Sequence, residues 1–425
     1  MSEDFDGDRL SEKVFQAVIG GDLNKALEIT LEPERLCRER GDKNGLAGVL
    51  GLQANAYQFR GDLAGAIQKF EEAEEIYREL GNKNELSAVL GNHAVVLSRQ
   101  EDFAGALAIH EAEERICREL EDKPGLSSCL GNKASALSAL GERDKAISIL
   151  KEKSEICIEL EDVDGLIATS NNIASLLAET GQTDTALEVL RGVEAACRDG
   201  GLDDWLCAVI GSQAQILAAR GDAGAALARL AEQEEIYRRN ENDHGLMACL
   251  ELQADVLLEQ EDFEGALARL EEEVELCRKV GKLDSLRDCL VRIGAIYHSE
   301  NAHYWAVESY REAGSVCLEL EEYPGYILTL LQRALMLIEV SDLDEALMHL
   351  EEMERFSRDL ADPENVARSL LYQAYLFTTA GVPVAEALRI VEDARELALE
   401  HGLVEFLKDE IEPLLKSMGD DGEQG

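Results

Sequence analysis

Ten cysteines, seven histidines and a large excess of carboxylates are the groups best equipped for chemistry in this chain, and their spacing limits what that chemistry is. Cys37, Cys117, Cys157, Cys197, Cys277 and Cys317 lie multiples of forty residues apart, and Cys129, Cys249 and Cys289 share a second register with Cys207 beside it. Thiols that keep a register are packing residues at a recurring semi-buried position, where the sister copies carry Tyr77 and Tyr237. No Cys-x-x-Cys pair occurs, so redox sensing and metal binding are the lesser readings. Free thiols in this number also predict a reducing compartment. His298 and His303 straddle an expected helix end without a partner at metal-ligand spacing. Phosphate loops, His-Glu-x-x-His and Gly-x-Ser-x-Gly are absent from the sequence. The expectation is a non-enzyme with no cofactor and no metal.

Three other sets suit recognition. Asn92, Asn132 and Asn172 recur once per forty residues and are followed by Ser212, with Gly51, Gly91, Gly131 and Gly211 alongside. An Asn side chain both donates and accepts, so it grips a peptide backbone whatever the sequence, and glycine leaves room for close approach. The competing reading is that each Asn bonds a neighbouring helix. Glu251, Asp255 and Glu259 share one helix face at i, i+4, i+8, where like charges repel; Arg292 is the expected counter-charge, and a solvated acidic face the alternative. Tyr304, Trp305, Tyr372 and Tyr375 form an aromatic group that core columns do not readily absorb, unlike Tyr297 and Tyr310.

The elements that position these residues follow from the same period. From Gly21 to Gly381 the chain lies in rows of forty, with alanines at 26, 66, 106, 146, 186, 226, 266, 306 and 346 in one column and Ala387 one step out of register. A period of this size marks a solenoid. Within residues 81–120, Leu86, Leu90, Ala94 and Leu97 predict a first helix near 85–99, and Phe103, Ala106, Leu107 and Ile109 open a second near 103–119. Between them sister copies place Gly-Asp, as at Gly61-Asp62, where Gly closes one helix in a left-handed cap and Asp caps the next. Small columns such as Ala94 and Ala106 mark close helix crossings, and Gly294 keeps that column small. Pro33 is expected to kink or split its helix.

In the second copy, Leu50, Ala54, Tyr57, Gly61, Ala66, Phe70 and Ala73 match the large–small–aromatic–Gly–Ala–aromatic–Ala pattern of the tetratricopeptide repeat, and the chain resembles that family over nearly its whole length. The period is forty instead of thirty-four and the helix-ending proline is missing, which is similar to the repeats of Leu-Gly-Asn-type spindle-orientation adaptors and of kinesin light chain; Leu90-Gly91-Asn92 and Leu130-Gly131-Asn132 strengthen the comparison. The adaptors' G-protein-binding motifs are absent, and that activity is not carried over. The resemblance implies an all-α solenoid: a right-handed superhelix of about ten hairpins over residues 8–401, with breaks near 40, 80, 120, 160, 200, 240, 280, 320 and 360. A capping helix at 402–418 follows, with disordered ends at 1–7 and 419–425. It implies that the first helix of each hairpin lines a concave groove, which puts Asn92, Asn132, Asn172, Ser212, Glu251, Asp255, Glu259 and Arg292 on that face.

The formal net charge of −46 excludes the basic footprint that nucleic acid requires and disfavours an anionic membrane surface. No apolar run approaches a bilayer span and the acidic start is unlike a leader, so the expected location is cytoplasmic. The function expected is an interaction scaffold or adaptor whose groove holds a peptide or protein, including one with a basic segment. The alternative is a regulatory sensor whose curvature responds to a peptide or small ligand and controls a separate effector. The sequence fixes no oligomeric state.

Overall fold

Forty residues hold two helices of 17 or 18 residues and two tight turns, and the chain uses them in that way. The computed structural model describes residues 7–416; of the ends expected to be disordered, only Gly7 is described, as the first residue of a helix, and the rest lie outside the described residues. The chain divides between Arg220 and Gly221 into two compact units. The first contains α1 (Gly7–Ile19), α2 (Leu23–Arg40), α3 (Lys43–Phe59), α4 (Leu63–Leu80), α5 (Lys83–Arg99), α6 (Phe103–Glu119), α7 (Lys123–Ala139), α8 (Arg143–Glu159), α9 (Val163–Glu179), α10 (Thr183–Gly200) and α11 (Asp203–Ala219). The second contains α12 (Ala223–Arg239), α13 (Asp243–Glu259), α14 (Phe263–Val280), α15 (Leu283–Ser299), α16 (His303–Glu319), α17 (Tyr323–Glu339), α18 (Leu343–Asp359), α19 (Pro363–Thr379) and α20 (Val384–Glu400). A three-residue helix, α21 (Val404–Phe406), then widens into a π-helical stretch at Leu407–Ile411 before helical residues 412–416. The described residues contain no β-strand, and the fold is an all-α solenoid.

The turns work as their residues predict. Gly61 adopts φ 84°, and the Asp62 carboxylate accepts from the Gly65 N–H at 2.9 Å. Where glycine is missing, other residues are forced into the same left-handed region, including Glu101 at φ 64° and Glu121 at φ 55°. Pro33 neither splits nor ends α2, which runs unbroken past it. The missing N–H removes one rung, and the remaining turns and the packing of Ala26 and Cys37 keep the helix whole.

The alanine column is fully buried, from Ala26 through Ala387, beside large side chains such as Phe70, Leu190, Leu270 and Ile327. At Gly294 a Cβ would lie 2.9 Å from the buried Tyr310 ring, so that ring occupies the space alanine takes elsewhere. Six of the seams between successive hairpins are also tied by a polar staple. Gln53 bonds Glu34 at 2.8 Å, Gln213 bonds Glu194 at 2.8 Å, Gln253 bonds Glu234 at 2.8 Å and Gln373 bonds Glu354 at 2.9 Å. His93–Glu74 at 2.6 Å and Lys133–Glu114 at 2.8 Å serve the same register. Burial alone would raise the Glu34 carboxyl, but hydrogen bonds from Gln53 and Arg38 hold it below the usual range.

Candidate functional site

The staples and the buried alanine column together orient the first helices of the hairpins, and so decide which of their side chains face outward. Asn92 and Asn132 directly precede the staple residues His93 and Lys133 on α5 and α7, and Asn172 holds the same register on α9, where the apolar Ile173 follows it; all three are exposed and make no hydrogen bond to another part of the chain. Ser212, in the same register on α11, is half-buried and returns its hydroxyl to the Ala208 carbonyl at 3.1 Å. The first three positions therefore keep both donor and acceptor available, while the fourth spends its donor internally.

Grooves run between these helices in the first unit. Asn92 borders a cavity of about 570 Å³ with Val14 and Phe15 of α1 and Asn55, Gln58 and Phe59 of α3. Phe15 and Phe59 are about 60 % exposed, so apolar rings flank a row of amides. Asn172 borders a second groove with Ser135, Ser138 and Ser175, and Ser212 a third with Ser175 and Gln215. Ser175 and Glu179 belong to both. The role expected for the adjacent glycines needs correction at two positions. A Cβ at Gly91 would meet the Glu113 carboxylate at 2.7 Å, and one at Gly131 the Lys153 ammonium at 2.9 Å, so this chain's own side chains fill that room. At Gly51 the space is open.

In the second unit Glu251, Asp255 and Glu259 are exposed along α13. Arg292 on α15 pairs with Asp255 and lies 3.9 Å from Glu251, so one cation meets two of the three carboxylates. The aromatic group comes apart into two. Tyr304 and Trp305 are exposed at the start of α16, edge to face at 5.2 Å, with Trp305 6.3 Å from Tyr297. Tyr372 packs half-buried against the core around α17 and α18, while Tyr375 is half exposed on α19. A groove of about 480 Å³ between α15 and α17 exposes Val291 and Leu328 beside Arg287 and Asp288. Sequence reasoning missed Phe15, Phe59, Val291 and Leu328; the available signal was a bulky apolar residue at a register that is small or polar in most copies.

All ten cysteines are free and buried, in keeping with their repeat register. Among the described residues, no helix is long and apolar enough to cross a membrane.

The tetratricopeptide repeat family model matches residues 85–159. No curated protein sequence matches the chain. Among solved structures, a signal transduction ATPase with a tetratricopeptide repeat sensor from Pyrococcus horikoshii is 16% identical with a TM-score of 0.50, over 87% of this chain and 55% of that one. Kinesin light chain repeats from Podosopora anserina are 17% identical with a TM-score of 0.41, over 45% of this chain and 95% of that one. The quorum sensor NprR from B. thuringiensis is 14% identical with a TM-score of 0.44, over 82% and 98%. At such identities the likeness speaks for the fold alone.

Proposed function

We propose that this chain, which carries tetratricopeptide repeats in an all-α solenoid, is a non-enzymatic interaction scaffold that holds an extended peptide or protein segment along the first helices of its hairpins. The observation that carries this reading is the contrast between two adjacent registers. Polar side chains in one are consumed by staples, as at Gln53, His93, Lys133 and Gln213; those in the other, Asn92, Asn132 and Asn172, are exposed and unbonded. Amides that serve no fold contact are free to pair with a backbone. The rings of Phe15 and Phe59 beside Asn92 supply an apolar anchor at one end of this face. In the second unit, the stripe of Glu251, Asp255 and Glu259, offset by the single Arg292, suits a basic segment.

The test is a selection of unstructured peptides displayed at random on the full chain. Selected peptides are then measured against a triple Asn→Ala variant at 92, 132 and 172 and a triple acid→amide variant at 251, 255 and 259. Three lost hydrogen bonds at about 1 kcal/mol each predict roughly a hundredfold weaker binding for the first variant, insensitive to salt. The second variant is expected to lose only the salt-dependent part of affinity for basic peptides. If both variants keep their helicity and bind like the parent, the proposed face is wrong and Tyr304 and Trp305 become the surface to test.

A further inference from the structure

Two of the repeats carry a pattern that the others break. Glu113, Cys117 and Cys129 follow Glu-x3-Cys-x11-Cys, and Glu273, Cys277 and Cys289 repeat it 160 residues later, one set in each unit. Related copies lose at least one donor: Cys157 has Lys153 and Thr169 in the partner registers, Cys197 has Val193 and Val209, and Cys317 has Ala313 and Thr329. The pattern joins one turn of a hairpin's second helix to the facing first helix of the next hairpin, so all three side chains converge on a buried seam. Donor atoms of Glu273, Cys277 and Cys289 all lie within 4.8 Å of one another, and all three residues are buried. In the first unit, donor atoms of His110, Glu113 and Cys129 meet the same limit, also buried, with Cys117 close enough to Cys129 to interact electrostatically.

Both clusters contain a buried polar atom with nothing to bond. Glu273 is 3% exposed and its Oε2 has no hydrogen-bond partner. His110 is fully buried; its Nδ1 lies 2.8 Å from the Glu113 carboxylate, and its Nε2 has no partner. With the Nδ1 proton donated to Glu113, Nε2 is left as a buried, bare lone pair. An orphaned lone pair beside buried thiols and a carboxylate costs stability in a packing role, whereas each of these groups is a ligand for a borderline-soft divalent cation.

We propose that Glu273, Cys277 and Cys289 bind one zinc ion, and that His110, Glu113 and Cys129, with Cys117 adjacent, bind a second. Around tetrahedral zinc, sulfur and oxygen or nitrogen ligands stand about 3.3–3.8 Å apart, so donors that all lie within 4.8 Å of one another need to close by no more than about 1.5 Å, while His110 and Glu113, now 2.8 Å apart, have to separate slightly. Zinc takes its cysteine ligands as thiolates, so binding releases protons. Each ion ties a hairpin to its successor across the seam, so its role is to lock those neighbours together.

The test uses cobalt(II) as probe on the full reduced, chelator-treated chain, followed by zinc. Expected are thiolate-to-cobalt charge-transfer absorption and intense visible bands of a tetrahedral ion, saturating at two equivalents and erased by zinc. Cys289→Ser and Cys129→Ser each remove one equivalent, Cys157→Ser removes none, and Glu273→Gln weakens cobalt at its site by about tenfold or more. Absence of thiolate bands in the folded parent overturns the proposal, as do bands indifferent to both cysteine substitutions. A single equivalent overturns the assignment for whichever cluster's substitution leaves it unchanged. If a serine variant loses helicity, the Glu273→Gln titration decides for the second cluster and a His110→Gln titration for the first, unchanged affinity counting against each.

Discussion

His349 lies on α18 with 6% of its surface exposed, and neither ring nitrogen has a hydrogen-bond partner. Burial, reinforced by the Arg333 guanidinium, lowers its pKa from the ordinary 6.5, against the opposing pull of Glu345 and Glu352. Arg333 is itself 9% exposed, and burial weakens its hold on its proton. A histidine whose folded pKa is depressed favours the unfolded chain once protons are plentiful. Its neutral form costs nothing above pH 6.5, and stability falls as pH drops below that value toward the depressed folded pKa. His349→Gln keeps a polar side chain of similar reach without the titration. The expected outcome is that urea midpoints of parent and variant run parallel above about pH 7 and separate below about pH 6.5, with the parent falling faster. Parallel curves across pH 5–7 would show that the folded protein protonates His349 freely.

At the scale of the element, the turns hold the clearest reserve of strain. Nine non-glycine residues among those described take a left-handed φ, including Glu101, Glu121 and Glu161, at positions where other copies carry glycine. The left-handed conformation costs an L-residue roughly 1–2 kcal/mol, and the extra freedom of an unfolded glycine returns about half of that. Glu101→Gly and Glu121→Gly are therefore each expected to stabilise the chain by about 0.5–1 kcal/mol, read from urea unfolding. The reverse change, Gly61→Ala, at φ 84°, is expected to destabilise by a similar amount. Helices and turns were legible in the sequence for the reason that makes this prediction possible: Gly-Asp breaks and alanine columns act locally, within one turn of helix. The polar staples were not. Gln53 meets Glu34 nineteen residues away only because successive hairpins pack, and nothing in either residue's own neighbourhood announces the pair. The Glu113 side chain filling the space above Gly91 was hidden for the same reason, as was the convergence of Glu273, Cys277 and Cys289. The Asn register was visible as a pattern, but its freedom from hydrogen bonds became visible only once the adjacent register was seen to be spent.

For the molecule as a whole, the governing quantity is the net charge of −46. The ion pairs add little stability against the resulting repulsion, because most are exposed, such as Lys43–Glu79 and Lys83–Glu119, and pairs of this kind contribute about 0–1 kcal/mol each. Spread over 22224 Å² of accessible surface, the excess is one uncompensated charge per roughly 480 Å², or about 22 Å between neighbours. The screening length is about 30 Å at 0.01 M salt, about 10 Å at 0.1 M and about 3 Å at 1 M. The mean spacing thus lies inside the first and well outside the second. Self-repulsion is felt across the surface at low salt and is already quenched near 0.1 M, while ion pairs shorter than 3 Å are screened only beyond that. The melting temperature is expected to rise with sodium chloride from 0.01 to about 0.1 M and then flatten or dip slightly toward 1 M. The same curve governs association: the on-rate of a basic peptide at the Glu251–Glu259 stripe should fall steeply over the interval in which the fold gains stability. Thermal scans and stopped-flow binding across one salt series check both. A melting temperature that falls steadily from the lowest salt would show that attractive pairs outweigh net repulsion.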